Sequence, residues 1–141
     1  MIDLTPEQVV RLSETPVGHL ATADANGRPH VIPVCFAYDG QQIYSVLDAK
    51  PKRGSLTGLR RVRNILANPQ VSLVIDHYDE DWTRLWYLLV QGRADLVEDG
   101  PEPPAAIARL REKYLQYRDM ELEGNPVIRI TPERVTGWSG S

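Results

Sequence analysis

Six cations fall within fourteen residues: Lys50, Lys52, Arg53, Arg60, Arg61 and Arg63. No Asp or Glu occurs from Lys50 through Ile75. The whole chain carries 16 Lys and Arg against 19 Asp and Glu, a net charge of −3. Without those six, ten cations face nineteen acids, so the remainder sums to −9. A concentrated positive patch on an acidic body suits a small polyanionic ligand. The plainer reading is the solvated face of a basic helix. A pI of about 5.6 argues against a general nucleic-acid binder, and no aromatic residue between 50 and 63 could stack on bases.

Other reactive groups are sparse. His19, His30 and His77 share no metal-ligand spacing, and Cys35, the single cysteine, cannot build a thiolate zinc site. Residues 76–81 (DHYDED) lack the alternation and central glycine of a calcium loop. There is no G-x-S-x-G elbow, Walker A loop or G-x-G-x-x-G turn. Cys35 sits in apolar company and reads as a small buried hydrophobe rather than a nucleophile. His30 is a candidate proton donor, with a structural strand histidine as the plainer reading. Nothing here performs covalent chemistry alone, so an enzyme built from this chain needs a cofactor to carry the reaction.

The elements that position these residues are short. Leu4-Thr5-Pro6-Glu7-Gln8-Val9 opens a helix, with Thr5 as cap, Pro6 in the first turn and Gln8 closing a capping box; Pro16 ends it. Residues 17–23 and 28–38 are extended runs about Asp24-Ala25-Asn26-Gly27, where Asn-Gly would take positive φ at both turn positions. Asp39-Gly40 turns into a third run at 42–47. The second run is apolar on both faces, which predicts a strand covered on both sides, and Pro33 predicts a bulge or an unpaired edge within it. A helix at 59–68 presents Leu59, Val62, Ile65 and Leu66 inward, with Arg60, Arg61, Arg63 and Asn64 off that stripe. Strands follow at 71–77 and from about Arg84 to Val97, bulged near Gly92, then a helix at 104–117 and strands at 127–130 and 134–138. Trp82, Arg84 and Trp86 share one face if their run is extended. Tyr114 and Tyr117 read as packing.

At 141 residues, with 42% hydrophobic and 25% charged residues, the sequence reads as one globular domain over 1–141. It has no apolar run of about 20 residues and no secretory leader pattern. One cysteine suits a reducing cytoplasm. About seven strands with turn-sized gaps predict a mainly β fold with short α-helices, an antiparallel barrel rather than a parallel sheet.

The order helix, "GHLATADANGRPHVIPVCFAYDGQQIYSVLD", then "KPKRGSLTGLRRVRNILANPQVSLVIDHYDEDWTRLWYLLVQGRADLV" resembles the split β-barrel flavin-binding proteins. These are the pyridoxamine 5′-phosphate oxidase-like proteins, and the sequence looks most like their F420-dependent oxidoreductase branch. The resemblance implies a homodimer with a cofactor in each interfacial cleft, acting on a small-molecule substrate. It implies that the cofactor ring lies along His30, Val31, Ile32 and Pro33 and beside Ser45 and Val46. Lys50, Lys52, Arg60, Arg61 and Asn64 would hold the phosphate, and Trp82 and Trp86 would form an aromatic wall for the partner's site or close the dimer core. No catalytic side chain is required, and His30, Tyr44 or a water is the candidate proton donor to the product. No metal, nucleic acid or membrane partner is implied. The tail of coenzyme F420 carries more negative charge than FMN, which six clustered cations match. The implied activity is hydride transfer between F420 and an unsaturated or carbonyl acceptor. An FMN-binding oxidase or flavin reductase and a non-catalytic cofactor carrier are the alternatives. The sequence departs from this group at Arg61, where lysine is frequent, and in the longer loop at 50–58. No pyridoxal-phosphate substrate motif is evident.

Overall fold

A computed structural model of the chain describes residues 2–48 and 56–141. Helix α1 (Pro6–Glu14) starts with the capping box read from the sequence: Gln8 N donates to Thr5 Oγ1 at 3.2 Å, and Thr5 N donates back to Gln8 Oε1 at 3.0 Å. Strands β1 (Gly18–Ala23) and β2 (Pro29–Val34) pair antiparallel, from Gly18 opposite Val34 to Ala23 opposite Pro29. Their turn differs from expectation, because only Gly27 has positive φ. Asp24 Oδ1 accepts from both Asn26 N and Arg28 N at 2.9 Å, which holds Asn26 in ordinary backbone space and lengthens the turn.

Two-residue β3 (Ala37–Tyr38) turns through Asp39–Gly40 into β4 (Ile43–Val46). Helix α2 (Arg60–Ala67) leads to β5 (Gln70–His77), β6 (Trp86–Val97), α3 (Glu102–Lys113) and β7 (Val127–Ser139). The third helix is earlier and shorter than expected. Pro103 and Pro104 occupy its first turn, where a missing N–H costs nothing, and Tyr114 goes extended before a separate 3-10 turn at Leu115–Asp119. The last two expected strands are one, β7. It bulges where Gln91 pairs with Arg134 and Gly92 with Pro132, leaving Glu133 over. Gly92 is required there, since a Cβ would lie 2.1 Å from the carbonyl oxygen of Thr131.

All neighbours in the sheet are antiparallel, in the order β2-β1-β5-β6-β7-β4-β3. Its two edge strands, β2 and β3, are consecutive in the chain and separated by Cys35 and Phe36 alone. Three Cα steps span roughly 11 Å, so the sheet must curl until its edges meet. This is the antiparallel split barrel, with 35–36 as its seam. One apolar cluster fills the inside, including Leu20, Phe36, Ile43, Leu73, Leu88 and Ile128. A second, with Tyr44, Val46, Ile107, Leu110 and Tyr117, packs α3 onto the outside of β4 and β7.

Three placements correct the sequence reading. The strand buried on both faces is β4, all four of whose residues are buried. β2 is an edge whose Val31 is 59% exposed; Pro33 keeps regular register opposite His19, so of the bulge and the unpaired edge expected there, the edge is what forms. On α2, Leu66 is 65% exposed, while Asn64 is buried at 2% and its Nδ2 donates to the buried Thr22 Oγ1 at 3.0 Å. A satisfied amide takes the inward position that the apolar count gave to leucine.

Candidate functional site

A cavity of about 280 Å³ opens beside the seam. Its apolar lining comes from Val17 between α1 and β1, from Pro33 and Val34 at the end of β2, and from Val46 on β4. Its polar lining is Cys35, Ser45, Asp48, Arg61 and Tyr117. The curl of the sheet brings these together, since β2 and β4 meet only because the two edges do.

Arg61 lies in the first turn of α2, where no side chain caps the helix. Burial pushes its pKa below the ordinary guanidinium value, opposed by the neighbouring Asp48 and Tyr117. Its Nε is buried and has no hydrogen-bond partner among the described residues. The Tyr117 hydroxyl donates to Asp48 Oδ2, and burial pushes the Tyr117 pKa far above its usual value. That phenol therefore stays protonated and acts as a donor rather than an acid. The arrangement offers a half-open cavity whose apolar residues stand beside a carboxylate, a phenol and a guanidinium, a lining able to take a ligand with both an apolar face and an anionic group.

Of the residues expected to hold a cofactor, Pro33, Ser45, Val46 and Arg61 meet here. Others do not. Strand alternation divides the His30–Pro33 segment: Ile32 packs against the inner core, while Val31 faces outward. His30 lies opposite Thr22 with its Nδ1 buried and unpartnered among the described residues. Arg60 is exposed on α2, and Asn64 is turned into the core. Lys50 and Lys52 lie outside the described residues. Tyr44 faces α3, where its hydroxyl is 2.8 Å from Glu102 Oε2 and 3.0 Å from Gln42 Oε1, two acceptors competing for its single proton. Burial, then the Glu102 carboxylate, push its pKa well above the usual phenol value.

The expected shared face of Trp82, Arg84 and Trp86 does not form, because Trp82–Arg84 is a 3-10 turn capped by Asp81. Trp82 is 67% exposed. Trp86 packs against the inner core, with the Arg11 guanidinium 4.3 Å from its ring centre. Neither tryptophan lines the cavity within this chain. Among the described residues no cluster of three or more His, Cys, Asp or Glu could hold a metal, and no helix is long and apolar enough to cross a membrane.

Sequence reasoning missed Val17, Val34, Cys35, Asp48 and Tyr117 at this cavity. Asp48 carried a signal: it is the first charged residue after the apolar run that ends the third strand. Tyr117 carried a weaker one, its spacing of three from Tyr114.

A family profile described as pyridoxamine 5′-phosphate oxidase matches residues 4–139. A 5a,11a-dehydrotetracycline/5a,11a-dehydrooxytetracycline reductase of Streptomyces rimosus is 26% identical over 137 residues, covering 95% of this chain and 82% of that protein. The crystal structure of a conserved hypothetical protein from Mycobacterium tuberculosis superposes with a TM-score of 0.79 at 21% identity, over 99% of this chain and 87% of the other. A solved F420 reductase gives a TM-score of 0.64 at 26% identity, over 96% and 98% of the two chains.

Proposed function

This chain belongs to the pyridoxamine 5′-phosphate oxidase family, and we propose that it is an oxidoreductase that binds coenzyme F420 at the seam cavity and reduces a small unsaturated or carbonyl compound. The carrying observation is Arg61: a half-buried guanidinium on the cavity wall, its Nε unpartnered among the described residues. A buried donor without an acceptor is costly, and an anionic group on the ligand would relieve that cost. The uncapped start of α2 adds further donors for the same anion.

When bound, the deazaflavin supplies the hydride. The chain's own residues bind, orient and exclude water. Pro33, Val34 and Val46 give the cavity its apolar walls. Tyr117, kept protonated, offers its hydroxyl to Asp48 on the cavity wall. Arg61 would hold the anionic arm from the cavity wall, with the exposed Arg60 beside it; Lys50 and Lys52, the other proposed contacts, lie outside the described residues. Kinship supports reduction as the direction, since the two relatives at 26% identity are both reductases. We further propose a homodimer in which Trp82, 67% exposed, serves the partner's cleft, while Trp86 stays packed against its own core.

FMN is the second reading. It is favoured by the Asp48 carboxylate near Arg61, which suits a less anionic ligand.

Parallel titrations with F420 and FMN, followed by tryptophan quenching at low and moderate salt, decide between them. Tighter F420 binding that weakens with salt is expected. Losing a charged hydrogen bond worth about 1.5–3 kcal/mol, Arg61→Ala should weaken it roughly ten- to hundredfold. Tighter FMN binding would move the protein to the flavin reading, and unchanged affinity in Arg61→Ala would remove Arg61 from the site.

A further inference from the structure

At the seam, Cys35 and Phe36 leave the strands, so the Phe36 peptide has no ladder partners, although its side chain is fully buried. A buried peptide group must be satisfied by something, and here two side chains at the end of α3 do it. Phe36 N donates to the Tyr114 hydroxyl at 3.0 Å. That hydroxyl has Pro16 O at 2.9 Å and Phe36 O at 3.0 Å as acceptors for its own proton. Lys113 Nζ donates to Phe36 O at 2.9 Å and Leu12 O at 3.2 Å, and lies 3.6 Å from the centre of the Phe36 ring. The end of α1, the seam and the end of α3 are thus fastened at one point.

The cavity wall is built from the residues next to those fastenings. Val17 follows Pro16, Val34 and Cys35 precede Phe36, and Tyr117 stands edge-on to Tyr114 with ring centres 5.5 Å apart. We propose that Lys113 and Tyr114 are positioning residues that latch the barrel seam and so set the shape, and the cofactor affinity, of the cavity. This rests on the functional reading above only for the identity of the ligand; the latch itself is a property of the chain.

Cys35 is the single cysteine and lines the cavity, so its alkylation by iodoacetamide, with rates compared per thiolate from their pH profiles, reports access at the wall. Tyr114→Phe removes only the hydroxyl, and Lys113→Met keeps the apolar stem. Each should speed Cys35 alkylation at least fivefold in the ligand-free protein, with Lys113→Arg restoring the slow rate. Both should raise the dissociation constant for F420 by a similar factor. Alkylation rates equal to those of the unaltered protein in both variants would overturn the latch. Faster alkylation in a protein that binds neither F420 nor FMN would keep the latch and remove the cofactor reading. Should the variants fail to fold, hydrogen exchange of the unaltered chain decides: a Phe36 amide as protected as that of Leu73 on β5 supports the latch, and exchange at turn rates overturns it.

Discussion

Along β6, all twelve residues meet β7 on one side and Trp86–Arg93 also meet β5 on the other, so main chain satisfies main chain along most of the strand. At Cys35–Phe36 the chain crosses from one sheet edge to the other with neither neighbour, and the Phe36 peptide is satisfied by Lys113 and Tyr114, reached across 77 and 78 residues of sequence. In the first region the ladder hydrogen bonds do not depend on which polar side chains the strand carries. The second depends on a few particular atoms. The cavity lies against the second. A binding site needs a place where the ladder stops, and side chains must then hold what the ladder no longer does.

This contrast can be broken first on the ladder side. In Gly92→Ala the new Cβ meets the Thr131 carbonyl at 2.1 Å, a backbone atom that cannot step aside. The expected loss is about 3 kcal/mol or more in urea unfolding. A loss below 1 kcal/mol would show that the bulge yields as readily as a loop.

Asn64→Ala comes next. It strips the donor from Thr22 Oγ1 inside the core, and unfolding should show a loss of about 1–3 kcal/mol. A stability matching the unaltered protein would mean that the amide is idle there.

The smallest effect belongs to the turn that carries Tyr117. Arg111 staples this turn through Nε to Tyr117 O at 3.1 Å and Nη2 to Met120 O at 2.8 Å, and it hydrogen-bonds the Glu123 carboxylate. That bond, above all, holds the Glu123 pKa down at about 2, against an ordinary 4.5. A depressed carboxyl pKa adds stability that is complete above its unfolded value and lost as pH falls through its folded one. A shallow stability loss between pH 4.5 and 2 is therefore expected, and it should be flatter in Glu123→Gln. Identical acid limbs would place this ion pair among those that contribute nothing.

Most of the ladder side was legible in the sequence, because alternation, caps and turns act locally. The Thr5–Gln8 box and the break at Pro69 follow from neighbours within a few residues, whereas the bulge expected in the Gly92 run falls on the facing strand, at Glu133. The count of seven strands was met for partly different reasons: the 28–38 run divides at the seam, while the runs at 127–130 and 134–138 join. Periodicity cannot see either event, since both are decided by what lies across the sheet. The cavity was half legible. Pro33, Ser45, Val46 and Arg61 converge on it, whereas Asn64 fails because a buried acceptor, Thr22, claimed it. Asp48 and Tyr117 belong to the site through a contact across 69 residues, which no local pattern announces.

The buried bond between Asn64 and Thr22 has a further consequence. It ties the helix that carries Arg60, Arg61 and Arg63 to the second strand from the sheet's open edge. The positive charge beside the cavity is therefore anchored from within the core: a displacement of β1 would be felt by the helix that carries it. In such a molecule salt sensitivity and conformational stability are not separate properties. A substitution that loosens β1 far from the cavity should also blunt the ionic-strength dependence of anion binding, without a charge having been altered.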